Sequence, residues 1–93
     1  MPRCAVPFEY DPAKSKANRA KHGVDFDQAQ ALWAGVTVEF PARTADEPRA
    51  VVVGLMEGRH WTAVITRRAG HLRLISVRRS RKNEIAAYEK SIR

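Results

Sequence analysis

Three strand-length runs rich in β-branched residues, Ala50–Met56, Arg59–Arg68 and Leu72–Arg79, follow one another with almost nothing between them. Only Glu57-Gly58 separates the first two, and only Ala69-Gly70-His71 the second two. A parallel crossover takes about a dozen residues or more, so connections this short force neighbouring runs to pair antiparallel. Val36–Phe40 supplies a further strand ahead of them, joined through a polar connection from Pro41 to Pro48, and Phe8-Glu9-Tyr10 alternates like a short strand. The chain is thus committed to a sheet of about four strands, and its remaining residues must cover that sheet.

Helix signals lie at the two ends. Asp11-Pro12 is an acidic N-cap followed by proline at the first helical position, and Gly23 supplies a left-handed stop after His22. Ala13, Ala17 and Ala20 form the small-residue face expected to pack. Asp25 can cap a second helix, with Phe26, Ala29, Leu32 and Trp33 at helical spacing and Gly35 as its end. Ser80 is the expected cap of a last helix to about Ile92, packing through Ile85, Ala86, Tyr88 and Ile92. The expectation is an α+β fold in a single domain spanning residues 1–93. Two N-terminal helices and a C-terminal helix pack on a mainly antiparallel sheet.

Register decides which residues share a face of the last hairpin, because a slip of one residue exchanges the two sides. A three-residue loop at 69–71, with Gly70 at the positive-φ position, groups Trp61, Ala63, Ile65 and Arg67 with Ile75, Val77 and Arg79. Thr62, Val64, Thr66, Arg68, Leu72, Leu74, Ser76 and Arg78 then share the other face. The first set is apolar in its middle and is expected to meet the helices. The second ends in Thr66, Arg68, Ser76 and Arg78, which places two guanidiniums as if to hold an anion between them. A solvated hairpin end, charged to blunt the sheet edge, is the alternative.

Charge is divided unevenly along the chain. Residues 1–48 carry six Lys/Arg and seven Asp/Glu, while residues 49–93 carry eleven and three. Most of that excess sits in Thr66-Arg67-Arg68 and in Ser76-Val77-Arg78-Arg79-Ser80-Arg81-Lys82. A polyanion suits such a surface, and nucleic acid is the commonest one. Arg81 and Lys82 also fall at the positive end of the last helix, a placement that costs on the order of a few tenths of a kcal/mol per charge or more. Glu84 offsets part of it, and an anion docked at that helix start would relieve the rest. Lys14, Asn18, Lys21 and His22 make a polar stripe on the first helix that either caps it or borders the same site.

Other classes recede. A 44% hydrophobic content is that of a folded domain. No apolar run approaches the roughly 18 residues needed to span a bilayer, and the first residues lack the apolar core of a signal peptide. The single cysteine, Cys4, allows no internal disulfide, has no evident partner base and is read as incidental; the cytoplasm is the expected compartment. His22, His60 and His71 show no ligand-pair spacing, so neither metal nor cofactor is expected. RNA cleavage needs none, because the 2′-OH can attack the adjacent phosphate. His22, His60, His71 and Tyr88 are candidate proton carriers, and spacing singles out none of them.

Phe8-Glu9-Tyr10-Asp11, Lys14, Asn18, Lys21-His22-Gly23-Val24 and Phe26 together resemble the N-terminal signature of the BrnT toxin family. Val64-Ile65-Thr66-Arg67-Arg68 and Leu72–Arg79 resemble its second block, and Glu84 and Tyr88 fit its closing helix. The resemblance implies a RelE-like fold with helices on one face of an antiparallel sheet, and a type II toxin that stops translation by cutting RNA. It further implies a BrnA-like antitoxin with a ribbon-helix-helix part, the complex alone touching operator DNA. The family's arginines carry over to Arg68 and Arg78, read as the phosphate-binding, catalytic pair; His22, from the first-helix stripe, is the further catalytic candidate. Lys21, Thr66, Ser76, Arg79, Arg81 and Lys82 would line the RNA path. Two positions depart from the family pattern: Arg67 where an acid is common, and Val77 where a small residue is usual. Two other readings stay open, a non-catalytic nucleic-acid-binding module or co-repressor, and a basic surface made for an acidic protein.

Overall fold

The structure, a computed structural model, describes residues 8–42, 49–68 and 70–92, without the side chain of Arg68. Cys4 and most of the Pro41–Pro48 connection lie outside the described residues. In chain order the elements are β1 (Phe8–Glu9), α1 (Pro12–His22), α2 (Phe26–Ala29) running into a 3-10 turn (Gln30–Ala34), β2 (Thr37–Ala42), β3 (Arg49–Met56), β4 (Arg59–Arg68), β5 (His71–Arg79) and α3 (Lys82–Ser91). Among the described residues the sheet has five strands in the order β1-β5-β4-β3-β2. β2 to β5 form an antiparallel meander, while β1 lies parallel against β5 with Phe8 beside Leu72. The sheet is therefore mixed and one strand larger than the expected four.

The tight turns form where the sequence puts them. Glu57 and Gly58 both have positive φ, 54° and 76°, the conformation that matches a two-residue hairpin to the strand twist. At the second hairpin the expected three-residue loop is corrected: Arg68 faces His71 across a two-residue turn. Farther along, however, Ala63 faces Val77 and Thr62 faces Arg78, the register that a three-residue loop would have produced. A bulge reconciles them, since Val64 faces Ser76 and Ile65 faces Leu74, leaving Ile75 as the extra residue. The cause lies in burial. Near the turn Ile65 needs Leu74 beside it, and farther out Ala63 needs Val77; one inserted residue keeps all four on the core side.

Helices cover both faces of the sheet, not one. Phe26, Ala29 and Leu32 pack on Val52, Ala63, Ile65, Leu74 and Val77 to make the main core. The 3-10 turn comes close enough that a Cβ added to Gly54 would stand 3.2 Å from Leu32 Cγ. On the opposite face Val53 and Thr62, a cross-strand pair, are fully buried with Tyr88 of α3. α3 goes there because that face presents polar partners for it: Thr62 and His60 receive its Glu84 and Glu89.

α1 inverts its expected face. Ala13, Ala17 and Ala20 are exposed, and Ser15 and Asn18 are buried. Ser15 Oγ accepts from Phe26 N at 2.9 Å. The Asn18 amide donates to Val24 O and Val77 O at 2.7 and 2.9 Å, and its Oδ1 accepts from Val77 N at 3.1 Å. Because β1 stops opposite Arg73, the edge of β5 beyond it has no strand partner among the described residues. Asn18 pairs with Val77 there as a peptide group would, where an apolar helix face would leave both backbone groups unpaired. Asn18 therefore does not belong to a solvent-facing polar stripe with Lys14 and Lys21.

Candidate active site at the start of the last helix

β5 passes almost directly into α3 through Arg78-Arg79-Ser80-Arg81. Strand alternation separates the first two arginines. Arg79 faces Trp61 and holds its guanidinium 5.6 Å from the ring centroid. Arg78 faces Thr62 on the α3 side. Its Nη1 donates to Glu84 Oε1 at 2.8 Å and its Nη2 to Oε2 at 2.7 Å, so the whole carboxylate is gripped in a planar fork.

Glu84 has further donors. Its Oε1 accepts from Thr62 Oγ1 at 3.1 Å and from the Arg81 backbone N–H at 2.7 Å. With the Thr62 proton directed at Glu84, its 2.7 Å bond with Ser80 is one that Thr62 accepts. Ser80 is therefore spent on the sheet. Arg81, not Ser80, is the N-cap residue of α3, and Glu84 folds back to its amide. The Arg78 guanidinium, ahead of the opposing effect of partial burial, holds the Glu84 carboxyl down at about 2. The same pairing raises Arg78 above the usual arginine value. The sequence asked for an anion at this crowded helix start, and the occupant is the protein's own third helical residue.

The expected pairing of Arg68 with Arg78 is corrected. Arg68 stands next to the turn, while Arg78 lies opposite Thr62, six residues farther along β4. At roughly 3.3 Å per residue their backbones are about 20 Å apart. In an antiparallel hairpin only residues equally far from the turn can meet, and these two are not. Between them lie Ser76, half-buried opposite Val64, and Thr66, buried opposite Arg73. Arg81 and Lys82 are exposed at the start of α3. Lys21 is exposed and His22 half-buried at the end of α1, and among the described residues neither is hydrogen-bonded to Arg78 or Glu84.

Three residues join the site that sequence spacing did not single out. His60 Nε2 lies 2.9 Å from Glu89 Oε2. Its ring stands edge-on to Tyr88, with centroids 5.5 Å apart, and the Tyr88 hydroxyl donates to Val36 O at 3.0 Å. The available signal was that His60 falls two residues before Thr62, hence on the same face of β4.

Both departures from the family pattern have structural partners. Arg67 makes a bidentate contact with Glu39 at 2.6 and 2.7 Å, and Val77 is fully buried. Arg67 and Glu39 border a hollow of about 460 Å³ also lined by Pro41, Arg49, Ala50, Ile65 and Thr66, at the other end of the hairpin from Arg78. Among the described residues no three His, Cys, Asp or Glu side chains converge as metal ligands would, and no helix is long and apolar enough to cross a membrane.

A guanidinium gripping two oxygens can as readily grip two oxygens of a phosphate. Comparison with curated proteins finds no match. The family model described as the ribonuclease toxin, BrnT, of type II toxin-antitoxin systems matches residues 10–84, most of the chain and all of the Arg78–Glu84 contact. The chain belongs to the BrnT family of ribonuclease toxins.

Proposed function

We propose that this protein is a metal-independent endoribonuclease that stops translation in the cytoplasm, and that Arg78 seats the scissile phosphate. The observation that carries the reading is the bidentate Arg78–Glu84 contact. A phosphodiester entering the site exchanges one anion for another at the guanidinium, so Arg78 is never left unpaired. In the cleavage step the RNA 2′-OH attacks the neighbouring phosphorus, and Arg78 stabilises the charge that builds on the non-bridging oxygens. Arg81 and Lys82 flank that point, while Arg79, expected on the RNA path, projects from the opposite side of the strand over Trp61. Ser76, Thr66 and Arg68 continue the path along the hairpin toward its turn, and Lys21 and His22 contribute from α1. No cofactor is involved.

The partner proposed from family membership is a BrnA-like antitoxin with a ribbon-helix-helix part, through which alone the complex touches operator DNA. The α+β sheet with a closing helix is compatible with a RelE-like toxin.

The test is cleavage of a labelled RNA by the purified protein. Arg78→Ala should lower the rate by about 10²–10³-fold, the loss typical of removing one oxyanion contact. Arg68→Ala should weaken RNA binding while cleavage of bound RNA persists. Unchanged cleavage by Arg78→Ala overturns the assignment. RNA bound with a steep salt dependence but left intact by the unaltered protein would mark a binding module instead.

A further inference from the structure

We infer that His60 is the base that takes the 2′-OH proton, and that α3 positions it through Glu89. This rests on Arg78 as the phosphate seat. His60 and Thr62 share one face of β4, and Thr62 faces Arg78. His60 is thus the diagonal neighbour of Arg78, about 7–8 Å away between backbones. Side chains at diagonal positions on one face can reach the same substrate, the imidazole at a ribose 2′-oxygen and the guanidinium at the phosphate on the adjoining 3′-oxygen.

The ring is held for that task. Glu89 Oε2 lies 2.9 Å from Nε2, so it accepts the Nε2 proton of the neutral ring and leaves the Nδ1 lone pair as the base. Tyr88 fixes the ring plane from the side, 84° from its own. The His60 side chain is 23% exposed, and among the described residues Nδ1 has no hydrogen-bond partner. Glu89 and Tyr88 of α3 meet the ring directly, and Arg78, paired with Glu84, occupies the diagonal position on β5. Glu84 and Glu89 project from the same helix, so one element sets both the phosphate seat and the base.

In the step, Nδ1 takes the proton from the 2′-OH, O2′ bonds to phosphorus, and the bond from phosphorus to O5′ breaks. The products are a 2′,3′-cyclic phosphate and a 5′-hydroxyl. The leaving O5′ takes its proton from solvent water, and His60 returns its own to solvent before the next turnover.

The experiment measures single-turnover cleavage of a labelled RNA across pH, with RNA binding measured in parallel. His60→Gln should slow cleavage by about 10²-fold or more, as for a lost general base, abolish the acidic limb of the pH–rate profile and leave RNA affinity within about twofold. His60→Ala should regain cleavage with added imidazole, and Glu89→Gln should slow cleavage less than His60→Gln does. Retention of both rate and acidic limb by His60→Gln, with Arg78→Ala inactive, overturns the His60 role and spares the phosphate seat. Full activity of Arg78→Ala overturns both. Failure of imidazole to restore His60→Ala, when that protein still folds and binds RNA, overturns the base role alone.

Discussion

Two arginines of the last hairpin grip glutamates in nearly the same way, and only one of the two contacts belongs to the candidate site. Arg67 with Glu39 and Arg78 with Glu84 are both bidentate, at 2.6–2.7 and 2.7–2.8 Å. Their surroundings differ. The side chains of Arg67 and Glu39 are 58% and 41% exposed, against 21% and 14% for Arg78 and Glu84. Glu39 is lowered mainly by its hydrogen bond with Arg67. Glu84 is also bonded by Thr62 and the Arg81 amide, and sits at about 2. An ion pair by itself marks nothing. At Arg78 sheet, helix start and hydroxyl network converge on one carboxylate, and that convergence is the ground for proposing a phosphate seat there.

The widest separation between the two pairs should appear in catalysis. Arg78→Ala is expected to cost about 10²–10³-fold in RNA cleavage. Arg67→Ala should leave cleavage within about twofold, and an equal loss from both would erase the distinction. In stability, double-mutant cycles read by denaturant unfolding should give about 2 kcal/mol of coupling for Arg78 with Glu84, where solvent is partly excluded, and below about 1 kcal/mol for Arg67 with Glu39.

Acid should expose the same contrast. Glu84 is depressed in the fold, so its contribution is present above about 4.5 and is lost as pH falls from there toward about 2. That loss should amount to about 1–2 kcal/mol after allowance for its partial exposure. Glu84→Gln should flatten this part of the stability–pH curve, and Glu39→Gln should change it little. The smallest expected effect is that of salt: raising ionic strength should reduce the Arg67–Glu39 coupling proportionally more than the Arg78–Glu84 coupling.

Signals carried by neighbouring residues were legible in the sequence. Asp11-Pro12 and Gly23 bound α1, Asp25 caps α2, and Glu57-Gly58 turns the first hairpin. Features set by distant pairings were not. The Ile75 bulge satisfies two burial demands that no single register meets. The buried side of α1 is polar because Val77 needed partners, which alanine spacing cannot reveal. α3 occupies the second face because Thr62 and His60 receive its glutamates. The crowding of cations around Arg78 was legible. Its carboxylate partner was not, because Glu84 reaches it only once the chain has turned from β5 into α3. The Arg68–Arg78 pairing failed on simple hairpin geometry.

The Asn18–Val77 contact has a consequence for the order in which the protein is made. It joins residues 59 positions apart, so α1 is synthesised long before the strand that receives its one buried amide. Until β5 has emerged, Asn18 has only the Val24 end of its arrangement, and α1 offers little apolar surface to hold it against anything. Of the residues at the candidate site, His60 and Thr62 precede β5, while Glu84, Tyr88 and Glu89 follow it on α3. The proposed site draws Glu84 and Glu89 from α3, so it can be completed only after that helix has been made.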